Sequence, residues 1–195
     1  MSPPPSDTAD GPPALQPAEY SFQERSLLLQ LAHRAIEARL AGLEVSVTPP
    51  TPHLDQKRGA FTTLHLDGVL HGCVGYVYPV YSLYRTIAEA AVAAAFHDIR
   101  FSPVTEEEVP RLKIEISVLS PLRPILPEEI EVGRHGLVIT CGMRRGLLLP
   151  QVPLEHGWDR VAFLEQTCAK SGSSPDAWRH GATIEAFTAE VFGEL

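Results

Sequence analysis

The 195-residue chain is poor in cysteine, with three, in aromatic residues, at 7%, and in positive charge, with 16 Lys and Arg against 24 Asp and Glu. Each shortage closes off a class of protein. The thiols Cys73, Cys141 and Cys168 are odd in number and sparse, unlike a disulfide framework, and fit a reducing compartment. The formal net charge is −8, and no basic stripe is present to neutralise phosphates, which argues against nucleic acid and against anionic membrane surfaces. No apolar run approaches the length that spans a bilayer. The N-terminus, MSPPPSDTADGPPALQPAEY, lacks the positive and apolar regions of a secretory signal. A cytoplasmic protein is the expectation. What remains is ordinary: 44% hydrophobic and 21% charged residues, enough for one domain with a sizeable core.

Residues 1–19 are dominated by proline, serine, alanine and aspartate and read as a disordered tail, leaving 20–195 as a single domain. Helical spacing of Leu27, Leu28, Leu31, Ala35, Ile36 and Leu40 predicts a first helix from near Ser21, stopped at Gly42. Two strands, 58–66 and 69–76, flank Asp67-Gly68, a dipeptide suited to a two-residue type I′ turn. That turn pairs 66 with 69, 64 with 71 and 62 with 73. It therefore predicts Thr62, Leu64, His71 and Cys73 on one face and Phe61, Thr63, His65, Leu70 and Val74 on the other. Ser82 caps an alanine-rich helix running to about Phe96, and Thr105 with Glu108 predicts a short helical turn ended by Pro110. Strands follow at 112–119, 136–141 and 147–149, a helix at about 159–170, a short helix carrying Trp178, and a closing strand at 183–192. Helices and hairpins interleave without regular βαβ units, so the fold class is α+β, an antiparallel or mixed sheet with packed helices.

Two clusters could carry chemistry. In His71-Gly72-Cys73-Val74-Gly75, glycines on both sides of a thiol let backbone or ligand approach closely. An imidazolium at His71 would favour the thiolate of Cys73, as a nucleophile needs. The competing reading is a small buried hydrophobe, since free cysteine is among the most buried residue types. The second cluster is His97-Asp98-Ile99-Arg100-Phe101-Ser102-Pro103. Here Asp98 and Arg100 either present an anion-binding guanidinium or clamp a helix end. Glu89, Ala93 and His97 share a helix face at i, i+4, i+8. Cys141 and Cys168 read as core. No metal-ligand spacing occurs among the eight histidines and there is no CxxC, so no metal is expected. GxGxxG, Walker A and GxSxG motifs are absent.

Taken together, RGAFTTL, LHGCVG, DIRFSP, ISVLSP, LLPQVPLEHGWD, FLEQTCAKSG and TIEAFTAEVF resemble the AMMECR domain family, whose prokaryotic members are called protein A of the AmmeMemoRadiSam system. The resemblance runs from about Ser21 to Glu194. It implies an α+β fold with a larger and a smaller subdomain and a cleft between them. It also implies association with Memo-type and radical SAM partner proteins; it names no cofactor and carries no settled activity. The family signature Leu-Arg-Gly-Cys-Ile-Gly is matched by Leu70, His71, Gly72, Cys73, Val74 and Gly75. Histidine for arginine is the departure, because a permanent bidentate cation becomes a group that titrates near neutrality. Asp98, Arg100 and Phe101 match a second family element. The expected site thus comprises Cys73 and His71 as the reacting pair, with Gly72, Gly75, Asp98 and Arg100 holding a ligand. The alternative is a non-catalytic module that binds a small molecule or protein in support of the partner enzymes.

Overall fold

The structure, a computed structural model, describes residues 18–194. The proline-rich tail lies outside the described residues apart from Ala18 and Glu19, and Glu19 is held: its N–H donates to the Glu190 carboxylate at 2.6 Å. Helix α1 (Phe22–Leu40) starts at a capping box in which Ser21 and Glu24 satisfy each other's backbone N–H, and it stops where Gly42 takes a left-handed φ of 69°. Helix α2 (Leu83–Phe96) is capped by Ser82, and its small side chains bury almost completely against α1 and the first sheet.

Among the described residues, eight strands form two antiparallel four-stranded sheets. In the first, β1 (Ala60–Leu66), β2 (Val69–Tyr76), β3 (Leu112–Leu119) and β8 (Ala189–Gly193) stand in the order β2-β1-β3-β8. The second orders β4 (Arg123–Pro124), β5 (Gly136–Cys141), β6 (Arg144–Leu148) and β7 (Thr183–Phe187) as β4-β7-β5-β6. One face of the first sheet packs on α1 and α2 around Leu28, Leu31, Ile36, Leu64, Ile87, Ile114 and Ile116. The second sheet packs on α4 (Arg160–Lys170) around Leu137, Ile139, Phe163 and Cys168. A third cluster, Leu119, Val138 and Phe187 with Phe61, Val77 and Leu147 against it, joins the two sheets. The result is the α+β arrangement of a larger and a smaller layer. No helix among the described residues is long and apolar enough to cross a membrane.

Three expectations need adjustment. The closing strand is two strands, β7 and β8, in different sheets; the chain switches at Thr188, where Ser120 N–H donates to the Thr188 carbonyl and Thr188 N–H to Ser120 Oγ. The turn at 105–108 precedes a 3-10 helix at Val109–Arg111, with Glu108 accepting from Thr105 N–H as a capping side chain does. A short helix α3 (Val152–Glu155) occupies a stretch the periodicity leaves as loop.

The most consequential difference is in the hairpin. The turn is as expected, with φ of 51° and 82° at Asp67 and Gly68 and Leu66 paired with Val69. A β-bulge then shifts the register: Leu64 pairs with Gly72, Thr63 with Cys73 and Thr62 with Val74, leaving His71 as the extra residue. The predicted pairings of 64 with 71 and 62 with 73 are therefore displaced by one. The cause is the crossing of β2 over α2. A Cβ at position 72 would lie 2.2 Å from the Ala94 carbonyl oxygen, so only glycine can face the helix there. The bulge turns Gly72 inward and Cys73 outward. Thr62 and Leu64 stay on the helix face; Phe61, Thr63, Cys73 and Gly75 share the opposite face, which the second sheet covers at Phe61.

Candidate functional site

Cys73 sits on β2, an edge strand, with its side chain half-buried. Its N–H donates to Asp98 Oδ2 at 2.9 Å and its carbonyl accepts from Arg100 Nη2 at 3.2 Å. Both backbone groups therefore point away from β1, so Cys73 and Thr63 form a non-hydrogen-bonded pair, the kind whose side chains approach most closely. Accordingly Thr63 Oγ1 donates to Cys73 Sγ at 3.2 Å. Sequence reasoning passed over Thr63, because the bulge that brings it opposite Cys73 has no local signature.

The structure brings the two sequence clusters together. The loop after α2 folds back along the edge of β2, anchored by Val104 N–H on the Ala95 carbonyl. Asp98 accepts from Arg100 Nη2 at 2.6 Å and from Arg100 Nε at 2.9 Å, a bidentate pair. The Asp98 side chain is 6% exposed and that of Arg100 57%. The Arg100 guanidinium, then the N–H groups of Cys73 and Arg100, hold the Asp98 carboxyl well below the usual carboxylate range, against the opposing effect of burial. Asp98 in turn holds Arg100 in its charged form, and the Cys73 sulfur is close enough to interact with that charge. Phe101 completes the loop, with the guanidinium 5.3 Å from its ring centroid and the His71 ring centroid 6.0 Å away on a tilted plane.

His71 is adjacent but differently engaged. Its Nε2 is buried with no hydrogen-bond partner. Neither Asp98 nor Arg100 bonds it. Gly72 and Gly75 are both explained by packing. The first meets α2 as above, and a Cβ at Gly75 would lie 2.3 Å from the Ala60 carbonyl oxygen and 2.6 Å from Phe61. Cys168 is fully buried and its thiol is pushed up by that burial, in keeping with a core role. Among the described residues no three His, Cys, Asp or Glu side chains converge as a metal site would need.

Two grooves stand out among the described residues. One, of about 680 Å³, runs along β8 between the first sheet and the second layer, lined by Arg25, Glu115, Arg134, Gln151, Glu190 and Val191 among others. The other, of about 630 Å³, lies between the ends of α1 and α2, and Glu89, Ala93 and His97, singled out above for their shared helix face, line it together with Tyr76. Cys73 lines neither. Beside the clamp, Ile99 is 100% exposed between the two charged residues that hold Cys73.

Comparison with known proteins agrees on one grouping. Residues 29–192 match the family model AMMECR1. A protein of Methanopyrus kandleri is 41% identical over 188 residues, covering 90% of this chain and 91% of its own length. One from Thermococcus onnurineus is 44% identical over 182 residues, covering 86% and 88%. The crystal structure of an uncharacterized protein from Pyrococcus horikoshii superposes with a TM-score of 0.77 at 42% identity, covering 86% of this chain and 90% of that one.

Proposed function

Because the chain belongs to the AMMECR1 family, we propose that it is a cytoplasmic component of a radical SAM/Memo-associated system, with a thiol-dependent site at Cys73. The observation that carries this reading is the state of Cys73 itself. A half-buried thiol on the sheet face turned away from the helices receives a hydrogen bond from Thr63 and has both backbone groups fixed by Asp98 and Arg100. Nucleophilic or acid chemistry at a cysteine needs a sulfur that a reagent can reach and a polar group that orients it, and the Thr63 hydroxyl supplies the second. Cys73 is then the nucleophile or acid. Thr63 orients the sulfur, Arg100 fixes the strand at the Cys73 carbonyl, Asp98 orients Arg100, and Gly72 and Gly75 let the strand lie close to its neighbours. His71 reaches this group only through Phe101, so its place is at the margin of the site, where it substitutes for the permanent cation of the family signature.

The test is alkylation of Cys73 by iodoacetamide across pH 5–9, read by mass spectrometry of the Cys73 peptide. Alkylation of Cys73 several-fold faster than that of free glutathione in the same buffers supports the reading; a rate no faster than glutathione's overturns it.

One observation favours the non-catalytic module. A wholly exposed Ile99 projects from the loop that clamps Cys73, and neither groove reaches the thiol. On that reading the loop is a docking point for a Memo-type or radical SAM partner. Ile99→Glu abolishes co-purification with such a partner while leaving the melting temperature unchanged; retention of the partner by the variant removes this reading.

A further inference from the structure

Strand β8 closes one edge of the first sheet, and its outer side has no strand partner among the described residues. The phase of its ladder is fixed at both ends. Glu194 N–H donates to the Ile114 carbonyl at 3.0 Å, and Ser120 N–H to the Thr188 carbonyl at 2.9 Å. Even-numbered residues of β8 therefore face β3, and Ala189, Val191 and Gly193 turn their backbone N–H and C=O groups outward. Ala189 and the half-exposed Val191 line the groove of about 680 Å³, together with Gly133, Gln151 and Leu154 of the second layer. An open edge of this kind is a template for a further strand. At β2 the loop carrying Asp98 and Arg100 occupies the corresponding groups of Cys73, whereas no described segment does so for β8.

The described chain begins on the rim of this groove. Ala18 and Glu19 line it, and the N–H groups of Glu19 and Tyr20 donate to the Glu190 carboxylate of β8 at 2.6 and 3.3 Å. The five residues just upstream are Pro13-Ala14-Leu15-Gln16-Pro17, the same number as in β8, so at about 3.4 Å per residue an extended run matches that strand in length. Their proline spacing suits pairing on one side only. Pro13 and Pro17 share a parity, so a strand of these residues turns the two imide nitrogens to one edge and the intact N–H groups of Ala14 and Gln16 to the other. Proline also holds the residue before it extended, which leaves less freedom to lose on docking.

We propose that residues 13–17 add to the outer edge of β8 as a fifth strand of the first sheet, with Ala14 and Gln16 bonded to the outward groups around Val191. Attachment at Ala18 gives the segment an effective concentration on the order of millimolar at the groove, which favours the chain's own tail over a second copy or a foreign strand. The added strand also ends the sheet, because Pro13 and Pro17 offer no N–H to a further one.

The experiment is residue-resolved amide exchange of the full-length chain by NMR, with a synthetic peptide of residues 1–17 as reference. Ala14 and Gln16 are expected to exchange about tenfold or more slowly than in the peptide, Leu15 at the peptide's rate, and Val191 to be protected with them. Gln16→Pro deletes one of the two donors at a position outside the folded domain, so it returns Ala14 to the peptide's rate and removes the protection of Val191. Peptide-like exchange at Ala14 and Gln16 overturns the proposal, and so does slowing that includes Leu15 equally. Protection of Val191 that survives Gln16→Pro also overturns it. Protection that falls on dilution assigns the edge to a second copy and overturns the tail as occupant.

Discussion

Replacing Asp98 by alanine tests whether the clamp on Cys73 is as tightly coupled as its geometry implies. The carboxylate accepts from Cys73 N–H at 2.9 Å and from Arg100 at 2.6 and 2.9 Å, with only 6% of its side chain exposed. Its removal leaves the Cys73 N–H without its partner, at about 1–3 kcal/mol, and forfeits charge-assisted bonds to a guanidinium that is itself exposed and readily hydrated. The expected loss is about 3 kcal/mol, a fall of about 6–12 °C in melting temperature for a chain of this size. Arg100→Ala acts from the other side, stripping a nearly buried carboxylate of its counter-charge, at about 1–3 kcal/mol. Since both variants break one network, the double variant loses less than the sum by about 1 kcal/mol or more. Urea unfolding of the native chain, both single variants and the double variant measures all of this. An Asp98→Ala loss under about 0.5 kcal/mol, or strict additivity, refutes the reasoning. The pH dependence has a definite sign. The folded carboxyl lies below its ordinary 3.8, so its contribution is present above that value and is lost as pH falls through the lower folded value. The native chain therefore loses stability below about pH 4 more steeply than Asp98→Asn.

Further outcomes follow from single residues. Gly72→Ala forces a Cβ to within 2.2 Å of the Ala94 carbonyl and costs about 3 kcal/mol or more, read as a lowered urea midpoint; an unchanged midpoint contradicts the close crossing of β2 and α2. Thr63→Val deletes the donor to Cys73 Sγ and slows alkylation at neutral pH about threefold to tenfold, whereas an unchanged rate shows the hydroxyl to be irrelevant to the thiol. Burial pushes the His135 imidazole below its ordinary 6.5, so stability falls as pH drops from 6.5 through the folded value. His135→Gln flattens that part of the profile, and an unaltered slope in the variant assigns it elsewhere.

Much of the fold could be read from local signals because each rests on a few consecutive residues. Ser82, Asp67-Gly68 and Gly42 appear where a cap, a turn and a helix stop were expected, and the first helix starts at Ser21 as its spacing implied. The alternation of Lys113, Glu115 and Ser117 with apolar neighbours likewise fixed which residues of β3 share a face. What could not be read was which strand that face adjoins. The pairing of β1 with β3 spans the whole of α2, and nothing within either strand selects the register that lines Glu115 up with Thr63. The bulge at His71 was illegible for the same reason: its cause is the Ala94 carbonyl, more than twenty residues away. The strand switch at Thr188 depends on Ser120.

The same structure separates what the fold requires around Cys73 from what it does not. β2 is an edge strand, and an edge exposes backbone donors and acceptors that invite pairing with another chain. Asp98 and Arg100 occupy those groups at Cys73, and Gly72 and Gly75 fit their crossings, so the motif around the thiol is accounted for by strand protection and packing. Those residues alone are weak grounds for assigning chemistry. The stronger ground is a feature that packing leaves unexplained: a half-buried sulfur turned away from the helices with a hydroxyl aimed at it. A purely structural cysteine would keep its alkylation rate in Thr63→Val, with no effect beyond stability. A site built on the thiol responds with a slower reaction of Cys73, and the variant's rate set beside its urea midpoint distinguishes the cases.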